Sequence, residues 1–275
     1  MADVNVVGRY WQDMTPGDVA ALAARDAVAV LPLGAIEQHG EHLPLSTDLD
    51  IAVGLTRAAV ARLPDELPAC VLPPLAIGLS LEHGRFGGTL SLSPDTAQAV
   101  LVELGESVAR AGLRRLVVIN AHGGNKAVLD LAALRLRAAH EMLVVKANYF
   151  RFALPPDCLP ADELRHGLHG GALETAMMLH LAGERVRPAV IDGDKATDRG
   201  DAGLGPALAA EGWAFGPEGE TAFAWLAGDL RADGVAGNPR LATAALGQRL
   251  VSHYADRLAA VITDAHRFDL ARLRA

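Results

Sequence analysis

Residues 31–50, with the sequence LPLGAIEQHGEHLPLSTDLD, constrain the fold more than any other stretch of the chain. The apolar run at 27–33, rich in Val and Leu, predicts a buried strand. Ionisable side chains follow soon after the run ends: Glu37, His39, Glu41, His42, Asp48 and Asp50. Burying such groups just beyond an inner strand costs free energy unless they are paired or bind a metal. Carboxylates and imidazoles together indicate a divalent transition metal such as Zn, Mn or Fe.

Apolar runs alternate with amphipathic segments through the first half of the chain. The runs at 27–33, 70–77, 113–120 and 142–147 predict strands, and the two prolines in 70–77 indicate an imperfect or edge strand. Helices are predicted at 15–25, 47–63 and 93–111, and from the end of the 121–125 segment to residue 140. This order is typical of a three-layer αβα fold with a mostly parallel central sheet.

The second half of the chain is predicted to contain fewer regular elements. Residues 150–165 and 192–220 predict loops, the segment containing Glu174 leads into a helix that ends near residue 181, and residues 240–263 predict a last amphipathic helix. Because no repeat or low-complexity tract interrupts the chain, we interpret residues 1–275 as a single domain.

Charge and cysteine content limit the classes of function. The formal net charge of −8 argues against a nucleic-acid partner or an anionic membrane. Only two cysteines, Cys70 and Cys158, are present, which fits a reduced cytoplasm rather than a disulfide framework. The N-terminus does not resemble a signal peptide, and no apolar run is long enough to span a bilayer. We therefore expect a cytoplasmic protein.

Three segments share one design, in which glycines and a histidine stand together at the end of a strand or the start of a helix. They contain Gly34 with Glu37 and His39, His122 with two glycines, and His169 with two glycines. Ligands of parallel α/β sheets bind at the carboxyl ends of the strands, so separate segments can meet there. Glycines allow the backbone to approach a small site closely.

Four motifs in these segments carry a family resemblance. The segments EQHGEHLPLSTDLDIA, EHGRFGGTLSL, INAHGGN and HGGALETAMML, in this order and spacing, resemble the creatininase (creatinine amidohydrolase) family over about residues 30–180. The resemblance implies an αβα fold, a site for two divalent metal ions, and cleavage of a C–N bond in a cyclic or acyl amide. Zinc is the first expectation, with manganese or iron as alternatives.

The resemblance also assigns roles to residues of this chain. Glu37 would bind one metal and His39 the other, Asp48 would bridge the two, and His122 and Glu174 would complete the site. Creatininase itself has a carboxylate where this chain has Gly124, which cannot bind a metal, so Glu174 is the expected ligand. His169 matches the catalytic histidine, and Glu82, His83 and Asn125 are expected on the substrate side.

These assignments predict a dinuclear amidohydrolase in which a metal-bridging water, activated as hydroxide, attacks a small cyclic amide, lactam or formamide. Two alternatives keep the metals: a peptidase that trims a cofactor-precursor peptide, and a cyclic-ketone hydrolase. A non-enzymatic binding protein is a third reading. Creatinine itself is disfavoured because neither Trp213 nor Trp225 precedes His169. The family also implies a homo-oligomer, with a hexamer as one option.

Overall fold

The computed structural model describes residues 9–192 and 203–273. Its strands are β1 (Val28–Leu33), β2 (Ala69–Val71), β3 (Arg115–Asn120) and β4 (Leu143–Asn148). Its α-helices are α1 (Pro16–Ala23), α2 (Thr47–Val60), α3 (Pro94–Arg110), α4 (Lys126–His140), α5 (Ala161–His166), α6 (Ala172–Leu181), α7 (Pro188–Asp192), α8 (Leu204–Glu211), α9 (Ala227–Leu230) and α10 (Ala244–Arg267).

The four strands form one parallel sheet in the order β2-β1-β3-β4. β1 pairs with β3 along its whole length, from Val28 opposite Arg115 to Leu33 opposite Asn120. The carboxyl ends of these two central strands therefore lie side by side. β2 is an edge strand, as its prolines predicted, and it is shorter than the predicted run because Pro73 and Pro74 offer no backbone N–H to the ladder.

Helices cover both faces of the sheet. Val28 and Val30 of β1 belong to a core that includes buried residues of α2, α6 and α10. Ala29 and Leu31, which point to the opposite face, belong to a second core with buried residues of α3 and α4. The predicted three-layer αβα architecture is thus confirmed.

Several predicted boundaries differ from the structure. α5 interrupts the predicted 150–165 loop, and α8 interrupts the predicted 192–220 loop, of which residues 193–202 lie outside the described residues. The last helix was predicted at 240–263. It begins at Ala244, because the Thr243 side chain accepts a hydrogen bond from the Leu246 N–H and caps it there.

None of the helices in the described parts of the chain is both long and apolar enough to cross a membrane.

Candidate metal centre

The first part of the site comes from the paired ends of β1 and β3. The Ala121 N–H donates to the Leu33 carbonyl at 2.9 Å, so the hydrogen-bonded pairing of β1 and β3 continues to the residue that follows β3. Glu37 and His39 follow β1, and His122 follows β3. The strand pairing therefore brings these three side chains to one place, as the sequence predicted.

Helix α2 adds Asp48 in its first turn. The helix can approach β1 only because residue 34 is glycine: a Cβ on Gly34 would lie 2.6 Å from the Leu49 Cα. Real side chains cannot occupy that space. The glycine thus sets the distance between the end of β1 and the buried Asp48 carboxylate.

Glu37, Asp48 and His122 form one group of potential metal ligands. His122 Nδ1 lies 3.2 Å from Glu37 Oε1 and 3.4 Å from Asp48 Oδ2. On the other side of the ring, His122 Nε2 lies 2.8 Å from the Leu79 carbonyl and donates to it. This contact leaves a lone pair on Nδ1, which is the atom that faces the two carboxylates.

His39, Asp48 and Glu174 form a second group. His39 Nε2 lies 3.2 Å from Asp48 Oδ1 and 3.8 Å from Glu174 Oε2. His39 Nδ1 donates to the Glu37 carbonyl at 3.1 Å, so the lone pair is again on the nitrogen that faces the acids. Asp48 thus presents one oxygen to each group.

Four donor atoms of these groups are buried without a hydrogen bond to any described residue. Both carboxylate oxygens of Glu37, Nε2 of His39 and Oδ2 of Asp48 have no hydrogen-bond partner among residues 9–192 and 203–273. Leaving buried polar atoms in this state is costly, and a cation is the partner that satisfies several oxygens and imidazole lone pairs together. The residues therefore fit divalent metal ions.

Without a cation, protons stabilise the same cluster. Burial alone would lower the pKa of His39, but the Asp48, Glu174 and Glu37 carboxylates outweigh burial and raise this pKa to about 10. The pKa of His122 is also raised well above its usual value, since the Glu37 and Asp48 carboxylates overcome the effect of burial. A metal would compete with these protons.

His169 lies beside both groups. Its Nε2 donates to the Gln38 carbonyl at 2.6 Å, and its Nδ1 lies 3.8 Å from Glu37 Oε1. Burial, together with His39 and His83, lowers the pKa of His169 well below its usual value, so the ring is neutral. Glu37, His39 and His169 form a third group with ligand spacing, which puts His169 within reach of an ion as well as of a substrate.

The expected substrate-side residues divide into two kinds. Glu82 and His83 line the cavity above the site, and His83 Nε2 lies 3.4 Å from Glu37 Oε1. Asn125 was also predicted on the substrate side, but it does not line this cavity. Its amide is buried and bonded to the Leu79 N–H, the Gly34 carbonyl and the Asn120 side chain, so it joins the strand-end loops together.

Glu41, His42 and Asp50 of the 31–50 segment could bind a metal by residue type, but they lie outside the three groups of potential ligands. Glu41 is exposed, and Asp50 is bonded to Arg185 at the surface. The His42 ring contacts the Gly170 carbonyl at 3.0 Å. His42 therefore supports the loop that carries His169.

Glu163 is a functional candidate that the sequence analysis missed. Its buried carboxylate accepts hydrogen bonds from the Ala172 N–H at 2.7 Å and the Asn238 N–H at 2.8 Å. His169 also forms two backbone hydrogen bonds with Ala236, at 3.0 and 2.8 Å. The carboxylate thus ties the start of α6, which carries Glu174, to the 236–238 segment that holds His169.

The only feature of the sequence that relates to this contact is the presence of glycine at two positions that lie against the Glu163 carboxylate in the fold. A Cβ on Gly171 would lie 2.6 Å from Glu163 Oε1, and one on Gly237 would lie 2.9 Å from it. The glycines make room for a carboxylate from another segment. Only the folded structure shows which carboxylate it is.

A cavity of about 790 Å³ lies over the site and is lined by Glu37, Asp48, Glu82, His83, His122, His169 and Glu174. Aromatic and apolar side chains complete its wall, among them Tyr149, Phe223, Trp225 and Leu226. Its size and composition are typical of ligand-binding sites. We call it the catalytic cavity.

Fold and site together define the class: an αβα protein with a buried carboxylate–imidazole cluster of metal-binding type at the ends of its parallel strands. The family model Creatininase, described as creatinine amidohydrolase, matches residues 12–262. The chain belongs to the creatininase family, whose members are hydrolases that act on amide bonds.

Individual relatives agree with this assignment. A mycofactocin precursor peptide peptidase from Mycobacterium tuberculosis is 36% identical over 240 residues, which cover 82% of this chain and 81% of that protein. A creatinine amidohydrolase from Pseudomonas putida is 33% identical over 203 residues, covering 68% and 75%. A solved structure described as the manganese form of creatininase superposes with a TM-score of 0.73 at 25% identity, covering 93% of this chain and 98% of that one.

Proposed function

We propose that the protein is a divalent-metal-dependent peptidase that hydrolyses an amide bond of a precursor peptide. The metal requirement rests on the two ligand groups that share Asp48, since four of their buried donor atoms have no hydrogen bond among the described residues. Glu37 and His122 would hold one ion, and His39 and Glu174 the other. Zinc and manganese both suit these donors.

Two features favour a peptide over a small amide, the substrate class that the sequence analysis put first. The catalytic cavity measures about 790 Å³, and a second cavity of about 500 Å³ adjoins it. The relative from M. tuberculosis, moreover, is described as a precursor peptide peptidase. Both features support an extended substrate.

A small cyclic amide remains the second candidate because of the creatinine amidohydrolase relative. The sequence argument against creatinine is also weaker than expected. Trp225 follows His169 along the chain, yet it lines the catalytic cavity. Trp225 is therefore positioned to contact the ring of a cyclic substrate, although it follows His169 in the sequence.

When bound, the metal ions would lower the pKa of a water molecule and polarise the scissile carbonyl. The protein supplies the proton transfers. In hydrolysis, water adds to the carbonyl carbon, the C–N bond breaks, and the leaving nitrogen gains a proton. Since Nε2 of His169 is held by the Gln38 carbonyl, its Nδ1 is free to take a proton from the attacking water and pass it to the leaving nitrogen.

The test combines metal analysis with hydrolysis of a substrate panel. The panel contains creatinine, simple lactams, formamides and the mycofactocin precursor peptide. We expect bound divalent metal, and cleavage of the peptide at a rate well above that of the small amides. Cleavage of only the small amides would replace the peptidase by the second candidate. Purified protein that holds no metal and cannot be reconstituted would favour a non-enzymatic binding role.

Asp48→Ala is the decisive variant, and Asp50→Ala is its matched control on the same helix. Asp48 is buried between the two ligand groups, whereas Asp50 pairs with Arg185 at the surface. The first substitution should abolish metal binding and activity together, and the second should leave both intact. Full activity of a metal-free Asp48→Ala protein would exclude metal-dependent hydrolysis.

Oligomeric state and location are further parts of the proposal. We infer a cytoplasmic homo-oligomer, in line with the sequence analysis. Mass measurement by light scattering tests the assembly directly, and a monomeric mass at working concentration would contradict it.

A further inference from the structure

Aromatic side chains are concentrated in one short segment of this chain. The full sequence contains three Trp, three Tyr and six Phe, and four of these twelve, Trp213, Phe215, Phe223 and Trp225, fall within residues 213–225. The segment folds back on itself, with the Gly216 N–H bonded to the Thr221 carbonyl and the Phe223 N–H bonded to the Gly216 carbonyl, both at 3.1 Å. This turn places its aromatic rings side by side.

Three of the rings form a continuous row. The ring centroids of Trp213 and Phe215 are 5.3 Å apart, and those of Phe215 and Phe223 are 6.0 Å apart with an edge-to-face arrangement. Trp213 is 53% exposed and Phe215 is 43% exposed. Large exposed aromatic side chains that contact each other mark a binding surface more often than single exposed ones do.

The row leads from one cavity to the next. Phe223 lines the catalytic cavity, whereas Trp213 and Phe215 line the adjoining cavity of about 500 Å³. The two cavities share a wall formed by Glu163, Leu168, Pro217 and Glu218. We call the adjoining cavity the distal cavity.

From this geometry we propose that the Trp213–Phe215–Phe223 row and the distal cavity bind the part of a peptide substrate that lies beyond the scissile bond. The proposal rests on the proposed peptidase function. An extended peptide spans about 3.3 Å per residue, so residues a few positions beyond the scissile bond lie outside the catalytic cavity. A small amide fits entirely within that cavity. Continuity with the catalytic cavity is what favours a substrate over a second copy of the chain on this surface.

The lining of the distal cavity indicates which side chains it would accept. Its charged residues are of both signs, including Asp162, Glu218, Arg165 and Arg231, so net charge does not select the ligand. The aromatic wall supplies the remaining affinity. We therefore infer that the distal cavity takes an apolar or aromatic side chain of the peptide.

The experiment compares a long and a short form of the same substrate on the metal-loaded enzyme. The long form is the mycofactocin precursor peptide, and the short form retains only the cleaved bond with one residue on each side. The variants are Trp213→Ala and Phe215→Ala. The matched control is Leu134→Ala, an exposed apolar side chain on α4 that lines neither cavity.

We expect each aromatic variant to lower kcat/KM for the long peptide about tenfold relative to the short one, mainly through KM. Leu134→Ala should not change the ratio. An unchanged ratio in both aromatic variants, with wild-type cleavage of the long peptide intact, would refute the inference and leave the peptidase function standing. A change of molecular mass in the variants, with the ratio unchanged, would identify the row as a subunit interface instead. If wild type cleaves no peptide but hydrolyses small amides, the proposed function fails and the inference fails with it.

Discussion

His39 Nε2 lies 3.2 Å from Asp48 Oδ1 in the interior of the protein, yet no hydrogen bond satisfies this nitrogen among the described residues. The other ring nitrogen of His39 donates to a backbone carbonyl, so in the neutral ring the facing nitrogen carries a lone pair. A lone pair and a carboxylate oxygen at this distance repel each other. Either a proton or a metal ion must lie near them.

Competition between proton and metal gives the first prediction. Because the surrounding carboxylates raise the pKa of His39 to about 10, metal must displace a proton from this ring over the whole neutral range. Affinity for Zn²⁺ should therefore rise with pH, by about tenfold per pH unit for each proton displaced, between about pH 6 and pH 9. Titration with a competing chelator at several pH values measures this slope. A flat profile would mean that His39 is not a ligand.

Substitution of His169 tests its role as the group that transfers the proton. His169→Ala should lower kcat by about 10²–10⁴ because the leaving nitrogen loses its proton donor. Metal content should stay unchanged, since the other two ligand groups remain intact. Parallel loss of metal would instead make His169 a ligand. His253→Ala, at a half-buried histidine of α10 that belongs to none of the three ligand groups, is the control and should keep full activity.

Glu163 should act as a positioning residue for the loop that carries His169. Glu163→Gln keeps the volume but turns an NH₂ group toward one of the two backbone N–H groups that the carboxylate now accepts from. We expect kcat to fall about tenfold to a hundredfold, because small displacements of catalytic groups have effects of this size. KM and metal content should change little.

The control for this substitution is Glu184→Gln, at an exposed glutamate whose Oε1 lies 3.7 Å from the Arg185 Nε. Steady-state kinetics, metal analysis and thermal unfolding of both variants separate positioning from stability. A lower melting temperature without the expected loss of kcat would reduce Glu163 to a structural role.

Gly34→Ala tests how the fold sets the position of Asp48. The added methyl group would overlap the Leu49 backbone, so α2 must move away from β1. We expect a loss of about 1–3 kcal/mol in the free energy of unfolding, together with weaker metal binding. Gly183→Ala is the control, because the Cβ it would add has no atom within 4 Å among the described residues other than Gly183 and its two neighbours. Denaturant unfolding and metal titration measure both effects.

The sequence predicted those parts of the protein that depend on local pattern. β1 is a continuous apolar run and β3 has an apolar interior, Leu116 to Ile119, so their positions and the polar groups just past them could be predicted from the sequence pattern. The strand ends then had to be adjacent, which is a general property of parallel sheets. Glu174 follows His169 in the third of the glycine–histidine segments, but its role as a ligand came from the family resemblance.

The remaining features depend on contacts between distant segments. Glu163 works through backbone N–H groups 9 and 75 residues away, and no local pattern encodes such pairs. From the sequence, Asn125 was placed on the substrate side of the site. Its amide instead satisfies buried backbone groups of two other loops, a demand that only the packed structure reveals.

Anomalous scattering from crystals of the metal-loaded protein tests the central claim most directly. We expect two peaks, one contacted by Glu37 and His122 and the other by His39 and Glu174, with Asp48 contacting both. A single peak, or peaks that Asp48 does not touch, would contradict it.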